Sequence, residues 1–188
     1  GRTTAAESED VTPVPWETVQ ATLPQLGATI ADMVLTQWHT GMRPGEVCRM
    51  TPTGLDVSHE ATDGVWLCRP SRHKNTWRNK TRLVVLGPQA IAVLKPRMPI
   101  SLEAPPFPTP DGSRYSTTTY RQAIQRAATR ASIDPWHPHQ IRHSKATLVE
   151  QQFGREAAAN ALGDTIETTE IYTDRNLRQM IEVARLTG

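Results

Sequence analysis

The sequence predicts a mixed α+β fold that is mainly helical, with a small antiparallel β-sheet at one edge. Most of its apolar residues recur at the spacing of a helix face, and the segment 29–38 is a clear example. Its apolar residues are Ile30, Met33, Val34 and Trp38. Two short apolar segments, 65–69 and 82–86, are joined by a polar and basic stretch, which is typical of a β-hairpin. The sheet is therefore expected to be a minor part of the domain.

The beginning of the chain is expected to be a tail followed by two helices in close succession. Residues 1–12 are polar and acidic and are interpreted as a mobile tail, so that the folded domain covers residues 13–188. Gly41 is predicted to end the first helix, and Pro44 is suited to the first turn of the next. Arg43 would then lie at a helix N-terminus, where backbone N–H groups and the helix dipole favour an anion.

The remaining elements follow from the same patterns. A third short strand is predicted at 55–57, beside the hairpin. Gly163 is a predicted helix C-terminus, because glycine readily adopts the left-handed conformation that ends many helices. The other predicted helices cover residues 88–94, 117–132, 139–152, 155–162, 167–172 and 174–186.

Composition limits the class of protein. The chain has 188 residues, enough for one domain, and its net charge of +2 is weak support for a nucleic-acid partner. The local charge is more informative, because the stretch 69–82 contains six basic residues and no acidic one. Cys48 and Cys68 are expected to be small buried residues, which suits a reducing cytoplasm. No apolar run approaches the ~18 residues that a membrane span needs, so no membrane partner is expected.

The motif His139-Gln140-Ile141-Arg142-His143 carries the strongest chemical signal. Residues three apart on a helix share a face, so an imidazole and a guanidinium lie side by side there. The guanidinium fork suits phosphate oxygens, and the imidazole can transfer a proton. Tyr172 supplies an oxygen nucleophile, which indicates chemistry on a phosphodiester. A metal site at His139 and His143 is the alternative, but the acidic residue of an HExxH motif is missing.

Several motifs in order resemble the catalytic domain of tyrosine recombinases, the phage integrase family. The resemblance extends from about residue 13 to residue 184. The motifs are Thr40-Gly41-Met42-Arg43-Pro44-Gly45-Glu46, His73-Lys74-Asn75, His139-Gln140-Ile141-Arg142-His143, Leu162-Gly163-Asp164 and Thr169-Glu170-Ile171-Tyr172. Each motif alone is weak, whereas all of them in this order are specific.

The resemblance implies a role for each residue of a catalytic site. Arg43 and Arg142 would clamp the scissile phosphate, and Tyr172 would attack it to leave a 3′-phosphotyrosyl bond and a free 5′-hydroxyl. Lys74 would protonate the leaving oxygen, with Lys80 as the competing candidate. His139 would act in proton transfer, and His143 is interpreted as a packing residue. No cofactor or metal is implied.

The remaining basic residues of the hairpin are expected to contact the DNA backbone. They are Arg72, Arg78 and Lys80. The implied partner is double-stranded DNA, in the bacterial cytoplasm at the nucleoid. The chain is expected to form a homotetramer on paired DNA sites and to be a monomer in isolation. Family members usually carry an N-terminal core-binding domain. We expect this chain to lack that domain and therefore to bind DNA weakly and in a salt-sensitive way. Whether residues 174–188 pack in cis or on a neighbour is left open.

Asp164 departs from the family pattern, which usually has histidine or tryptophan after Leu-Gly. An ionised carboxylate repels a phosphate, so we expect cleavage to be weakened unless Asp164 turns away, is protonated or pairs with a cation. This leaves three functional readings. They are an active integrase or recombinase, a DNA-binding relic with impaired catalysis, and a DNA-relaxing enzyme similar to type IB topoisomerases.

Overall fold

The protein is described by a computed structural model, which covers residues 11–70, 82–163 and 174–188. Within these ranges helices predominate, and a small antiparallel sheet lies at one side, as the sequence predicts. The helices are α1 (Trp16–Thr22), α2 (Ala28–Thr40), α3 (Pro44–Arg49), α4 (Glu60–Asp63), α5 (Pro88–Leu94), α6 (Thr117–Arg130), α7 (Pro138–Phe153), α8 (Arg155–Leu162) and α9 (Asp174–Thr187). The strands are β1 (Leu55–Asp56), β2 (Trp66–Cys68) and β3 (Val84–Leu86).

The sheet has the strand order β1-β2-β3, and both pairs of neighbours are antiparallel. Trp66 is opposite Leu86 and Cys68 is opposite Val84, so the predicted hairpin is confirmed. All three strands are shorter than predicted. The first ends before Val57, whose side chain is exposed and therefore gains nothing from extending the sheet.

Both faces of the hairpin are buried, which explains why its strands are continuous apolar runs. Alternate residues point to opposite faces of a strand. One set belongs to the main core, with α2, α6 and α7. Its members in the hairpin are Trp66, Cys68, Val84 and Leu86. The other set packs against Met180 and Ala184 of α9. The C-terminal helix therefore packs in cis in this structure, with β3 and α8 as neighbours.

The long helices bury the faces that their periodicity predicts. In α2 the buried residues include Ile30, Met33 and Val34, with Gln37 one turn further along the same face. In α6 they are Tyr120, Ile124, Ala127 and Ala128. The predicted helices 88–94 and 155–162 are confirmed with the same bounds. No helix among the described residues is long and apolar enough to cross a membrane.

Some predictions need correction, and others lie outside the described residues. Helices α1 and α4 were not predicted, because both are short: α1 has seven residues and α4 is a single turn. Thr12 was assigned to the mobile tail, but its carbonyl oxygen accepts a hydrogen bond from Gln140 Nε2 at 3.1 Å. His143 was interpreted as a packing residue, but it is exposed, because Ile141, Arg142 and Lys145 occupy the inner face of α7. Residues 1–10 and the predicted helix 167–172 lie outside the described ranges.

Candidate active site

Arg43 lies at the start of α3, as predicted. Helix α2 ends at Gly41, which has φ +65°, and a Cβ there would lie 2.5 Å from Leu162 Cδ2. Glycine is therefore required both by the left-handed backbone and by the close approach of α8. The turn leads to Arg43, whose backbone N–H donates to Glu46 Oε2 at 2.8 Å. This capping contact fixes the backbone of Arg43, while its side chain stays partly exposed at 27%.

Arg142 is held from two sides by backbone carbonyl groups. It lies on the inner face of α7 and is 7% exposed. Its Nη1 donates to Gly41 O and its Nη2 donates to Leu162 O, each at 2.8 Å. The first carbonyl belongs to the turn before Arg43, and the second belongs to the end of α8. The guanidinium of Arg142 therefore joins the two segments that lead to Arg43 and towards residues 164–173.

Glu46 is a buried carboxylate that links Arg43 to a third arginine. Its Oε1 lies 3.2 Å from Arg43 Nη1 and 2.6 Å from Arg82 Nε. The side chains of Glu46 and Arg82 are only 1% and 3% exposed. Arg82 Nη1 also donates to Leu162 O, the same oxygen that accepts from Arg142. Because buried charges need partners, this arrangement keeps three cations close together around one carboxylate and one carbonyl.

A cleft of about 660 Å³ opens beside Arg43. Basic and polar side chains of α3, α6 and α7 line it. They include Arg43, Arg49, Arg121, Gln122, His137 and His139. Their side chains carry cations and hydrogen-bond donors, so the cleft suits an anionic group such as a phosphate. Two predicted catalytic residues, Arg43 and His139, therefore line the same cleft.

His139 faces the same region as the two predicted clamp arginines. Desolvation of its ring lowers its pKa, and the charges of His137, His143, Arg142 and Arg43 lower it further. The neutral imidazole is therefore favoured near neutral pH and is able to accept a proton. His139 is exposed at the first turn of α7 and lines the cleft, whereas Arg142 is buried on the inner face of the helix. Within the described residues no group of three histidine, cysteine or acidic side chains could hold a metal ion.

Lys145 is a buried lysine that the sequence patterns do not mark as a site residue. It lies under α9, where its Nζ donates to Thr187 O at 2.5 Å. Desolvation lowers its pKa to about 7. The neighbouring His39 has its pKa lowered to about 4 by desolvation and then by the charge of Lys145. The spacing of four residues from Ile141 predicts that Lys145 lies on the inner face of the helix, whereas the charge of a lysine predicts exposure.

Several predicted site residues lie outside the described ranges. They are Arg72, Lys74, Arg78, Lys80, Asp164 and Tyr172. Residues 71–81 connect β2 to β3, and residues 164–173 connect α8 to α9. The first connection ends directly before Arg82, and the second begins two residues after Leu162. Both therefore adjoin described residues of the site. Two further site residues, Glu46 and Arg82, were not predicted. The sequence could have indicated Glu46, because it lies three residues after Arg43, the spacing of a capping box. For Arg82 the only sequence feature is its place directly before an apolar strand.

The comparisons with known proteins agree with this geometry. The chain matches the tyrosine recombinase XerC of Corynebacterium glutamicum at 28% identity, over 76% of this chain and 46% of the relative. It matches XerC of Pseudomonas fluorescens at 30% identity, over 56% of this chain and 38% of the relative. The chain thus corresponds to less than half the length of these curated relatives.

Solved structures show the same fold. The integrase from mycobacterium phage Brujita has a TM-score of 0.70 at 20% identity, covering 100% of this chain and 61% of that chain. The XerH site-specific recombinase bound to its difH substrate has a TM-score of 0.61 at 20% identity, covering 94% of this chain and 55% of that one. The sequence profile described as the phage integrase family matches residues 17–178. With most of its length matched by that profile, the chain belongs to the phage integrase family.

Proposed function

We propose that this chain is the catalytic part of a site-specific DNA recombinase, which cuts and rejoins DNA through a 3′-phosphotyrosyl intermediate. The observation that supports this most directly is the convergence of Arg43, Arg142 and His139 on one region beside an open basic cleft. Guanidinium groups there offset the negative charge that develops on phosphate oxygens in the transition state. The XerC relatives and the recombinases with the same fold support the same activity.

The proposed cleavage step assigns each proton and bond. Tyr172 Oη attacks the scissile phosphorus, and the bond from phosphorus to the 5′-oxygen breaks. Neutral His139 accepts the phenol proton of Tyr172, and Lys74 donates a proton to the departing 5′-oxygen. Rejoining reverses the step, because the phosphotyrosyl bond conserves the energy of the phosphodiester. Arg72, Arg78 and Lys80 are proposed to contact the DNA backbone near the cut.

The partner is proposed to be double-stranded DNA, bound by four copies of the recombinase on two sites. XerH and a λ integrase dimer have been solved bound to DNA, and both share the fold of this chain. DNA binding by this chain is expected to weaken steeply as salt rises, because phosphate contacts release counterions. No metal or nucleotide is proposed for the reaction.

A trapping experiment with randomised DNA tests the proposal and identifies the target sequence in the same step. The chain is incubated with a pool of nicked duplexes that carry a randomised segment, and protein-bound DNA is isolated under denaturing conditions and sequenced. We expect a covalent adduct with a defined DNA sequence, and mass spectrometry should place the link at Tyr172. Tyr172→Phe is the matched control and should give no adduct. Absence of any adduct from the native chain would contradict the proposed activity.

A DNA-binding relic is the second candidate function, because Asp164 stands where the family usually has histidine or tryptophan. Comparing the native chain with Asp164→His in the adduct assay separates the two. If Asp164 impairs cleavage, the variant should form adduct faster while its affinity for the same duplex changes little. No gain in adduct would contradict that view. Relaxation of a supercoiled plasmid that lacks the selected sequence would instead favour an enzyme similar to type IB topoisomerases.

A further inference from the structure

Arg82 is a buried arginine just before β3, and the cleavage step described above gives it no role. It lies directly after residues 71–81 and two residues before the first paired residue, Val84. Its side chain is 3% exposed, so it is not a candidate for contact with bulk DNA. A guanidinium is rarely buried unless it is paired, because removing it from water is costly. The partners of Arg82 indicate its role.

Arg82 connects the partners of both predicted clamp arginines. Its Nε forms an ion pair with Glu46 Oε1 at 2.6 Å, and the same oxygen lies 3.2 Å from Arg43 Nη1. Its Nη1 donates to Leu162 O, which also accepts from Arg142 Nη2 at 2.8 Å. One planar side chain therefore spans the carboxylate that orients Arg43 and the carbonyl that orients Arg142.

The contact between Arg82 and the end of α8 requires a glycine at position 163. Gly163 has φ +64°, and a Cβ placed there would overlap Arg82 Nη1. The end of α8 thus presents its backbone to the guanidinium without an intervening side chain. Residues 164–173, which include Asp164 and Tyr172, continue from this point. Arg82 therefore also holds the end of α8 in place, directly before residues 164–173.

We propose that Arg82 is a positioning residue for phosphate cleavage, which sets the spacing between Arg43 and Arg142 by bridging Glu46 and Leu162. This inference rests on the proposed function. Charge alone does not suffice for the role, because two partners on different elements must be reached at once. Arginine has a rigid fork with five donors, whereas lysine presents a single ammonium group. Lysine is therefore expected to pair with Glu46 but to lose the bridge to Leu162.

The test compares Arg82→Lys and Arg82→Met with the native chain, on a duplex selected in the trapping experiment. DNA affinity, the single-turnover rate of adduct formation at saturating DNA, and the melting temperature are measured for each. Arg97→Met is the matched control, since Arg97 also forms an ion pair, with Asp32 at 2.6 Å, but its partly exposed side chain does not line the cleft. It should leave the adduct rate unchanged.

For a positioning role we expect Arg82→Lys to lower the adduct rate by about 30-fold or more, since a misplacement of about 1 Å can cost about 100-fold. Its DNA affinity should stay close to the native value, and its melting temperature should fall only modestly, because the ion pair with Glu46 is kept while one buried hydrogen bond is lost. A purely structural role would move the melting temperature and leave the rate of the folded fraction unchanged. Arg82→Met should be at least as slow, and if it fails to fold, Arg82→Lys decides the question.

A folded Arg82→Lys with a native adduct rate would overturn the inference, and so would equal losses in rate and DNA affinity. These outcomes differ from failure of the proposed function. In that case the native chain and Arg97→Met would form no adduct either.

Discussion

Lys145 gives a sharp prediction about stability, because it is a charged residue type buried under the C-terminal helix. Its Nζ has Thr187 O as a hydrogen-bond acceptor at 2.5 Å, and desolvation lowers its pKa from 10.5 to about 7. The unfolded chain then holds a proton on Lys145 that the folded chain releases above its lowered pKa. The free energy of unfolding should therefore rise as the pH rises from the folded pKa towards the unfolded one.

The size of the effect follows from the same two values. Between about pH 7 and about pH 8.5, the contribution of Lys145 should make the native chain more stable by roughly 1.5 kcal/mol. Lys145→Met keeps a long apolar side chain and removes the titrating group. At about pH 7 the variant should be more stable by roughly 3 kcal/mol, after about 1 kcal/mol is subtracted for the hydrogen bond that Thr187 loses.

Urea unfolding at several pH values within this window measures both quantities. Lys95→Met is the matched control, since Lys95 is 60% exposed and pairs with Glu60 on the surface. It should leave the pH dependence unchanged. The reasoning would be refuted if Lys145→Met showed the same rise in stability with pH as the native chain. It would also be refuted if the variant were less stable than the native chain at neutral pH.

Three other predictions concern buried groups near the site. Glu46→Gln should lower the free energy of unfolding by about 3 kcal/mol, because it leaves buried guanidinium groups without their carboxylate; chemical denaturation measures this, and an unchanged midpoint would contradict it. Gly163→Ala should destabilise the chain by more than about 1 kcal/mol, since its φ is +64° and its Cβ would meet Arg82; thermal unfolding checks this, with Gly27→Ala in open space as the control. Burial raises the pKa of Cys48 to about 11 and that of Cys68 to about 12, so both thiols should resist alkylation at about pH 8 until the chain unfolds. Rapid alkylation of the folded chain would contradict this last prediction.

The sequence predicted the parts of the site that depend on local chemistry. Gly41 and Pro44 mark the end of one helix and the beginning of the next, which places Arg43 at a helix N-terminus. The spacing of three between His139 and Arg142 places both near one region of α7. These features arise within one or two turns of the chain, where backbone preferences decide the conformation.

Other features could not be predicted because they join distant segments. Residues Glu46 and Arg82 are far apart in sequence, and their pairing depends on the folded chain bringing α3 and the residue before Leu83 together. The burial of Lys145 depends on α9 covering α7, which only the folded chain shows. His143 was wrongly interpreted as a packing residue, because a helical motif does not reveal which of its faces meets the core.

The sequence by itself determined the family, the order of the elements and the chemical identity of the proposed catalytic residues. These depend on residue types and on short spacings along the chain. Only the tertiary structure decided that Arg43 and Arg142 share a framework through Glu46, Arg82 and the carbonyl of Leu162. The physical reason is that the sequence cannot indicate two parts of this framework, the carbonyl group of Leu162 and the buried ion pair of Glu46 with Arg82. A backbone carbonyl has the same identity at every residue, and a buried ion pair forms only where packing excludes water.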